Sequence, residues 1–335
     1  MKLRVGLVSA AHVHTPSYAH QFSVNPRTEI SGVWDDDAAR GREFAEKRGL
    51  RFFKRLEELL AVSDAVAISS ENMKHAEHIE KCASAGVHIL CEKPIVPRRE
   101  DFAKVKNAVA KSGVKFMTAF PCRFSPAFTS LKKRIESGEI GRILAIQATN
   151  RGQCPQSWFV QPELSGGGAM IDHVVHVADL LKDLLGEEPS QVQAQIGSNM
   201  YSGENWDDTA MLTLQYPSGV FVTLDSSWSR PKSFKTWGDV TMKVVGEKGS
   251  IHLDMFGQSI GLYTAGNLTH SDIGYGSDLD GAMVDAFIAS CLDNKPIAVT
   301  LEDGLAAVEV SLKGYDSVKE SENFVAKSQI HLSVS

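Results

Sequence analysis

The sequence predicts an α/β protein of two domains, a doubly wound parallel sheet followed by an α+β domain. Three observations support this prediction. The chain has 335 residues, which is too long for one typical hydrophobic core. Its first 120 residues alternate short apolar runs with helical patterns, as parallel strands joined by right-handed crossovers do. After about residue 121, strand-like runs follow one another directly, so we place the boundary at Phe120–Pro121.

The first domain, residues 1–120, contains five apolar runs that are typical of buried strands. They are Leu3–Val8, Ile30–Trp34, Ala65–Ile68, Val87–Leu90 and Lys115–Ala119. Segments with apolar residues at helical spacing lie between them: Ser17–Val24, Ala38–Arg48, Lys74–Ala85 and Glu100–Lys111. This alternation predicts a parallel sheet with helices on both faces.

The second domain, residues 121–335, combines helices with a run of consecutive strands. The predicted helices are Pro126–Ser137, Ala169–Leu185, Leu279–Asp293 and Leu301–Ser321. The predicted strands are Gln191–Ile196, Thr209–Tyr216, Val220–Ser227, Val240–Val245, Ser250–Leu253 and Ile260–Tyr263. Turn sequences such as Pro217-Ser218-Gly219 separate neighbouring strands, which predicts hairpins and a largely antiparallel sheet.

The composition argues against some classes of binding partner. A net charge of −6 without clustered Lys or Arg argues against nucleic acid and anionic membranes as partners. No apolar run approaches the length of a membrane span, and the N-terminus does not resemble a signal peptide. The five cysteines are widely spaced and include no C-x-x-C pair, so we expect neither disulfides nor zinc, and a cytoplasmic protein.

The turn after the first strand is a candidate phosphate-binding loop. A strand that turns into a helix offers backbone N–H groups and a helix N-terminus to a dinucleotide pyrophosphate. The usual G-x-G-x-x-G positions are occupied by Ser9, Ala11 and His14. Ser and Ala are small enough for a phosphate to approach, provided that the turn does not require φ > 0. A tight turn in an unrelated α/β protein explains these residues equally well.

Acidic residues at the end of the second strand strengthen the dinucleotide hypothesis. Asp35 lies about twenty residues beyond the turn, where an acidic side chain hydrogen-bonds the adenosine ribose. The three consecutive acids Asp35, Asp36 and Asp37 would repel a 2′-phosphate, which favours NAD over NADP. Asp36 or Asp37 alternatively caps the following helix.

A lysine follows the strand Val87–Leu90. Lys93 stands at a carboxyl strand end, where ligands bind in open α/β sheets. A lysine directed inward there is either paired or catalytic, because burying an isolated ammonium is costly. In isolation, a lysine that simply reaches solvent explains the position better.

The helix Ala169–Leu185 carries a second polar group. Asp172, His176, Asp179 and Asp183 follow one another at spacings of four, three and four, opposite an apolar stripe. An ordinary solvated face is the alternative, although such faces usually include Lys, Arg and Glu. The preceding Gly166-Gly167-Gly168 suggests a close approach to another backbone or to a ligand.

These motifs together resemble one enzyme family. Cys91-Glu92-Lys93-Pro94, followed by three glycines and then Asp172, His176 and Asp179, resembles the paired signature of the Gfo/Idh/MocA oxidoreductases, which include glucose–fructose oxidoreductase and inositol dehydrogenases. Further stretches agree in the same order: Arg123-Phe124-x-Pro126, Gly138-Glu139-Ile140-Gly141, Asp207-Asp208-Thr209-Ala210 and Leu301-Glu302-Asp303-Gly304. The resemblance covers nearly the whole chain.

The resemblance implies a Rossmann domain that binds NAD(P), then an open-faced sheet domain for substrate binding and oligomerisation, with Lys93, Asp172 and His176 as catalytic residues. The cofactor-binding residues expected here are Ser9, Ala11, His14, Asp35, Ser69, Asn72, His75 and Glu92. Two departures concern the cofactor. The glycines of the phosphate turn are missing, and the Pro-Asn segment common in the family reads Ser70-Glu71-Asn72.

The hypothesis is that a secondary alcohol of a sugar, inositol or polyol is oxidised by NAD. His176 would be the general base, Lys93 would stabilise the developing oxyanion, and Asp172 would bind substrate hydroxyls. Arg123, Asn150, Trp158 and Asp172 are the candidate substrate contacts, and core packing is an alternative for Trp158.

Other functions and sites were weighed beside this hypothesis. Related enzymes reduce their substrate or recycle NAD during elimination or glycoside cleavage, and related sugar sensors do not turn over at all. A cofactor site too degenerate to bind NAD is a further alternative. His12, His14 and His20 cluster near the turn and His75 and His78 lie three residues apart, but nothing in the sequence fixes three protein ligands close together, so no metal site is expected. An open sheet would expose a broad apolar face, so we expect a homodimer or homotetramer.

Overall fold

The computed structural model describes residues 2–201, 204–264, 269–274 and 276–332. The chain forms two compact units that are interleaved in sequence. The first unit comprises Met1–Phe124, Ser157–Gly166 and Asp278–Val308. The second comprises Ser125–Gln156, Gly167–Ser277 and Glu309–Ser335. Among the described residues, no helix combines the length and the apolar run that a bilayer crossing requires.

The first unit is built on a parallel five-stranded sheet with the order β2-β1-β3-β4-β5. The strands are β1 (Leu3–Val8), β2 (Thr28–Trp34), β3 (Ala65–Ile68), β4 (His88–Cys91) and β5 (Phe116–Thr118). All residues of β3 are buried, as expected for a strand covered on both faces. The predicted parallel sheet is therefore confirmed, and all of its carboxyl ends lie at one edge.

Helices connect these strands. They are α1 (Thr15–Val24), α2 (Ala38–Arg48), α3 (Leu56–Leu60), α4 (His75–Ser84) and α5 (Phe102–Ser112), and the unit also contains the short α7 (Pro162–Ser165) and α9 (Leu279–Leu292). Asp37 caps α2 by accepting the N–H groups of Ala39 and Arg40, and Gly49 ends that helix in a left-handed conformation. The short α3 was not predicted, since five residues carry too little periodicity.

The second unit contains a six-stranded sheet with the order β11-β10-β6-β9-β8-β7. The strands are β6 (Ile143–Gly152), β7 (Gln191–Gly197), β8 (Thr209–Gln215), β9 (Phe221–Ser227), β10 (Gly238–Gly246) and β11 (Ser250–Asp254), and β12 (Ser259–Thr264) pairs separately with β13 (Thr269–Gly274). Only the pair β6–β9 is parallel among the described strand pairs of the larger sheet. The sheet is thus largely antiparallel, as predicted. The central β6 was missed.

One face of this sheet is covered and the other is open. The helix α8 (Ala169–Leu185) packs against β6, β8 and β9, and the remaining helices are α6 (Pro126–Glu136) and α10 (Leu301–Leu332). The open face exposes Met211 and Phe221 by 57% and 53%. Val245 is also exposed, by 37%, and most of the other exposed residues are polar, among them Gln147, Gln191, Gln193, Gln195, Thr213, Gln215, Thr223 and Lys243. The expected broad apolar face is therefore wrong: the open face is mainly threonine and glutamine.

Candidate active site

The phosphate turn links β1 to α1 and depends on Ser9. Its backbone has a φ of 73°, in the left-handed region that favours glycine. The sequence analysis allowed a serine here only if the turn avoided positive φ, and that condition is not met. The Ser9 hydroxyl compensates in part, since it accepts the N–H of Ala11 at 3.2 Å and donates to Asp35 at 3.2 Å. The turn keeps its shape without the usual glycine.

Asp35 stands at the carboxyl end of β2 with a fully buried carboxylate. Besides the Ser9 hydroxyl, it accepts the N–H groups of Ala10 at 2.7 Å and Asp37 at 2.9 Å. Arg40 binds it through two nitrogens, Nε at 2.9 Å and Nη2 at 2.6 Å. These bonds are internal to the protein, so Asp35 holds the turn, while its predicted contact with a ribose stays a prediction. Arg40, on the first turn of α2, was not singled out from the sequence.

Glu92 follows β4 and is the centre of a buried polar cluster. One carboxylate oxygen accepts from His14 Nδ1 at 2.9 Å and from the Tyr18 hydroxyl, and the other accepts the N–H of Lys93 at 3.0 Å. Burial would raise the pKa of Glu92, but His12 and His14 outweigh burial and hold that pKa well below its usual range. Burial opposes protonation of His14 in turn, and Glu92 overcomes it and raises the pKa of His14.

The same cluster includes the described group best able to hold a metal ion. One ring nitrogen from each of His12 and His14 and one oxygen of Glu92 all lie within 4.8 Å of one another. The backbone N–H of His14 donates to His12 Nδ1 at 3.2 Å, which directs that lone pair toward the backbone. The sequence analysis considered the two histidines but did not connect them with Glu92, because the three meet only when β1 and β4 end at one edge.

Two buried polar atoms after β3 suit a bound cofactor. Within the described chain, the Ser69 hydroxyl and the Asn72 side-chain oxygen are buried without a hydrogen-bond partner. The Asn72 amide nitrogen donates to the Ser165 carbonyl at 2.8 Å, which orients the unsatisfied oxygen. A ligand with hydroxyl or amide donors would satisfy both atoms, since buried polar groups are otherwise almost always hydrogen-bonded. The residues therefore fit a dinucleotide.

His75 has a different environment. It is fully buried, and its ring nitrogens lie 2.9 Å from the carbonyl of Pro94 and 3.0 Å from that of Ser70. Burial lowers the pKa of His75. The imidazole thus connects the start of α4 with the segment that carries Lys93, and a direct contact with the cofactor stays a prediction.

Two predicted substrate residues belong to the first unit. Trp158 donates its indole N–H to the Ala11 carbonyl at 3.0 Å and stacks on Phe159 with 3.9 Å between ring centroids. It therefore packs against the phosphate turn. Arg123 lies 3.5 Å from Asp303 and donates to the Ala298 carbonyl at 3.3 Å. Sugar contacts for both residues stay predictions.

The helix α8 begins at an anchored N-terminus in the second unit. Asp207 accepts the N–H groups of Gly168 at 3.2 Å and Met170 at 2.7 Å, and the hydroxyl of Tyr315 donates to it at 2.7 Å. A Cβ on Gly168 would overlap the Asp207 carbonyl oxygen, and one on Gly167 would lie 2.5 Å from the Tyr315 hydroxyl. Gly168 is thus explained by the close approach of the Asp207 backbone, and Gly167 by that of the Tyr315 side chain.

Two of the four polar residues predicted on α8, Asp172 and Asp179, are buried. Asp172 is 5% exposed and Asp179 is completely buried, and His176 follows Asp172 by one helical turn. The indole of Trp228 donates to the Asp172 carboxylate at 3.1 Å, and His173 Nε2 lies 3.3 Å from it. His176 and Asp183 are partly exposed, and Asp183 pairs with Lys132 at 2.9 Å, so the buried Asp172 and Asp179 are the two that depart from an ordinary solvated face.

Further groups of the second unit suit a sugar. Asn150, at the carboxyl end of β6, donates to the Asp239 carbonyl at 2.9 Å, and its side-chain oxygen is buried without a partner among the described residues. An aromatic cluster extends from Trp228 through Trp206 to Tyr201, with 5.4 Å and 5.3 Å between successive ring centroids. None of these three aromatic residues was predicted from the sequence, and Trp228 lies 22 residues beyond Trp206 in the chain.

Comparisons with known proteins bear on the fold and the family of the chain. Residues 3–120 match the family model described as an oxidoreductase family with an NAD-binding Rossmann fold, and residues 128–252 match the GFO/IDH/MocA C-terminal domain. The 2,7-anhydro-N-acetylneuraminate hydratase of Escherichia coli is 31% identical over 75% of this chain and 68% of its own. The myo-inositol 2-dehydrogenase of Thermotoga maritima is 27% identical over 96% of both chains.

Solved structures support the fold. The structure of GenD2 from gentamicin A biosynthesis in complex with NAD has a TM-score of 0.85 and 22% identity, and covers 96% of this chain and 95% of its own. The fold and the matched models define an oxidoreductase with an NAD-binding Rossmann domain. More specifically, the chain belongs to the GFO/IDH/MocA oxidoreductase family.

The strained Ser9 generates a stability prediction. Ser9→Ala removes the three hydroxyl hydrogen bonds, with Ala11, Asp35 and Arg40, and keeps the Cβ, whereas Ser9→Gly removes the same bonds and relieves the left-handed strain. We expect the glycine variant to be more stable than the alanine variant by about 1 kcal/mol. Urea denaturation of the two variants measures this difference. Equal stabilities would show that the φ of Ser9 is not strained.

Gly168 provides a second prediction. Gly168→Ala should destabilise the protein by roughly 1–3 kcal/mol, because the new methyl group displaces Asp207 from the start of α8. Gly249→Ala is the control, because the atom nearest to the new Cβ would be 3.6 Å away, an ordinary contact distance. Thermal unfolding of both variants is the measurement, and equal melting temperatures would contradict the proposed close approach.

Proposed function

We propose that this enzyme transfers hydride between a secondary alcohol of a sugar, inositol or related polyol and the nicotinamide of NAD. One observation carries the proposal: a chain whose residues 3–120 match an NAD-binding family model also carries a lysine, an aspartate and a histidine that suit the oxidation of an alcohol. Lys93 stands at the carboxyl edge of the parallel sheet, and Asp172 and His176 lie one turn apart on α8. The named dehydrogenase relatives support the same class of substrate.

In the proposed reaction, Lys93, Asp172 and His176 act on one substrate hydroxyl. When bound, the nicotinamide supplies the hydride acceptor. His176 removes the hydroxyl proton as the C–H bond breaks, a role suited to an imidazole at neutral pH. Lys93 donates a hydrogen bond to the same oxygen and stabilises its developing negative charge. Asp172 keeps the ammonium oriented and accepts hydrogen bonds from neighbouring hydroxyls.

The cofactor is proposed to lie along the carboxyl edge of the sheet. Ser9, Ala11 and His14 would hold the pyrophosphate, and Ser69 and Asn72 would offer their buried, unsatisfied oxygens. Asp35, His75 and Glu92 would keep these groups in place through the internal bonds described above. NAD is the proposed form, with NADP disfavoured by the acids after β2.

The proposed substrate contacts combine the earlier candidates with residues found in the structure. Asn150 and Asp172 offer hydrogen-bonding groups, and the exposed Tyr201 at the end of the aromatic cluster offers a face for sugar C–H groups. Arg123 and Trp158 are retained as candidates, although each has internal partners. No nucleic acid or membrane partner is proposed.

In a second candidate function, the enzyme uses bound NAD but the overall reaction does not oxidise the substrate. One relative is named a hydratase, an activity that exchanges water rather than electrons. In such a reaction the hydride taken from the substrate would return to it after elimination. Accumulation of NADH on substrate addition separates the two functions, because an enzyme that recycles the cofactor releases none.

We also propose a cytoplasmic homodimer or homotetramer. None of the five cysteines forms a disulfide in the described chain, which suits a reducing compartment. The open sheet face, with exposed Met211 and Phe221 among threonines and glutamines, is available for a second subunit. A monodisperse monomer in light scattering would contradict the oligomer.

Replacing the catalytic residues tests the proposed function. A panel of sugars, inositols and sugar acids with NAD and NADP first identifies a substrate by NADH or NADPH formation. Lys93→Ala and His176→Ala should then lower kcat by about 100-fold or more, while the NADH dissociation constant changes little. Lys106→Ala, at an exposed lysine of α5, is the control.

The outcomes of this test are distinct. Wild-type turnover in either variant removes that residue from the mechanism. Cofactor binding without turnover of any substrate would favour a sensor, and absence of both NAD and NADP binding would favour a degenerate cofactor site.

A further inference from the structure

Glu71 is a buried carboxylate beside the phosphate turn that the proposed reaction does not use. It follows Ser69 and Ser70 at the end of β3 and is 4% exposed. One of its oxygens lies 3.0 Å from Arg40 Nη1, and the other lies 3.1 Å from Lys74 Nζ. A single carboxylate thus binds two cations. The position is also one at which this chain departs from the Pro-Asn segment common in the family.

Arg40 extends from Asp35 after β2 to Glu71 after β3, and so passes the end of β1, which lies between those strands. Its Nη2 comes within 3.4 Å of the Ser9 hydroxyl in the phosphate turn. The Arg40 side chain is 28% exposed and that of Lys74 is 32% exposed. Both cations are therefore accessible at the end of the cleft where an adenosine ribose binds in this fold.

Two such cations would ordinarily attract a phosphate group. Arg binds phosphate through its planar fork, and Lys binds it as a point charge. Here each cation is already neutralised: Arg40 by Asp35 and Glu71, and Lys74 by Glu71 and by Asp36 at 3.4 Å. Burial opposes ionisation of Glu71, yet its backbone hydrogen bond and the two cations keep its pKa below the usual value. Glu71 is therefore charged at neutral pH.

We propose that Glu71 determines cofactor specificity by holding Arg40 and Lys74 away from a 2′-phosphate, so that NAD binds and NADP is excluded. The inference rests on the proposed function, since it requires a nicotinamide dinucleotide at this edge of the sheet. Discrimination here comes from a carboxylate that occupies the phosphate-binding cations, in addition to repulsion by the acids after β2.

Binding measurements test this without catalysis. Dissociation constants for NADH and NADPH are measured by nucleotide fluorescence on the wild-type protein, on Glu71→Gln and on the control Glu77→Gln, which removes a surface carboxylate paired with Lys81 on α4. Glu71→Gln should tighten NADPH binding relative to NADH by about tenfold, the effect of one charge-assisted hydrogen bond. Glu77→Gln should leave the ratio at its wild-type value.

A double variant checks the cause of the gain. Adding Lys74→Met to Glu71→Gln should reverse part of the increase in NADPH affinity, because one of the released cations is gone. A gain that persists in full would remove Lys74 from the proposal. Should Glu71→Gln fail to fold by circular dichroism, the wild-type protein still decides the matter: NADPH binding as tight as NADH binding overturns the inference.

The result also separates the inference from the function it rests on. A wild-type protein that binds neither NADH nor NADPH would overturn the proposed function. A protein that binds NADH tightly, with a ratio of the two affinities unchanged in Glu71→Gln, would overturn the role of Glu71 and leave the dehydrogenase proposal intact.

Discussion

Two buried carboxylates, Asp35 and Glu92, hold together the loops at the carboxyl edge of the parallel sheet. Asp35 joins the turn after β1 to Arg40 on α2, and Glu92 joins that turn and α1 to the segment after β4. Each carboxylate loses its hydration on folding, and each is compensated by several charge-assisted hydrogen bonds. The rigid edge that results allows a turn without its usual glycines to keep the form of a phosphate-binding loop.

In the second unit, another buried carboxylate holds a functional segment in place. Asp207 is buried, which raises its pKa, and it binds two N–H groups at the start of α8 together with the Tyr315 hydroxyl. The helix start is thereby fixed, and the position of Asp172 follows from it. In both units the residues nearest the proposed chemistry are held by carboxylates that do not take part in it, which is how a site is preorganised.

The sequence predicts most where one local pattern suffices. Seventeen residues with an uninterrupted apolar stripe and flanking glycines predicted α8 with its observed bounds, Ala169–Leu185. Prediction from the sequence fails where the role of a residue depends on neighbours that only the tertiary structure brings close. The strand β6 was missed because its end, Thr149 to Gly152, is polar, although in the sheet these residues lie between two strands. Arg40 and the Tyr201 cluster were missed because one contact of each joins residues far apart in the chain, Arg40 with Glu71 and Trp206 with Trp228.

The central claim is that one ammonium, one carboxylate and one imidazole surround a single substrate hydroxyl next to the nicotinamide. A crystal structure of the protein with NAD and a bound polyol tests it most directly. We expect Lys93 Nζ and the His176 ring each to lie within about 3.5 Å of the substrate hydroxyl oxygen, with Asp172 beside that oxygen. We expect nicotinamide C4 to face the carbon that carries this hydroxyl. A nicotinamide ring remote from Lys93, or a polyol bound away from α8, would contradict the account.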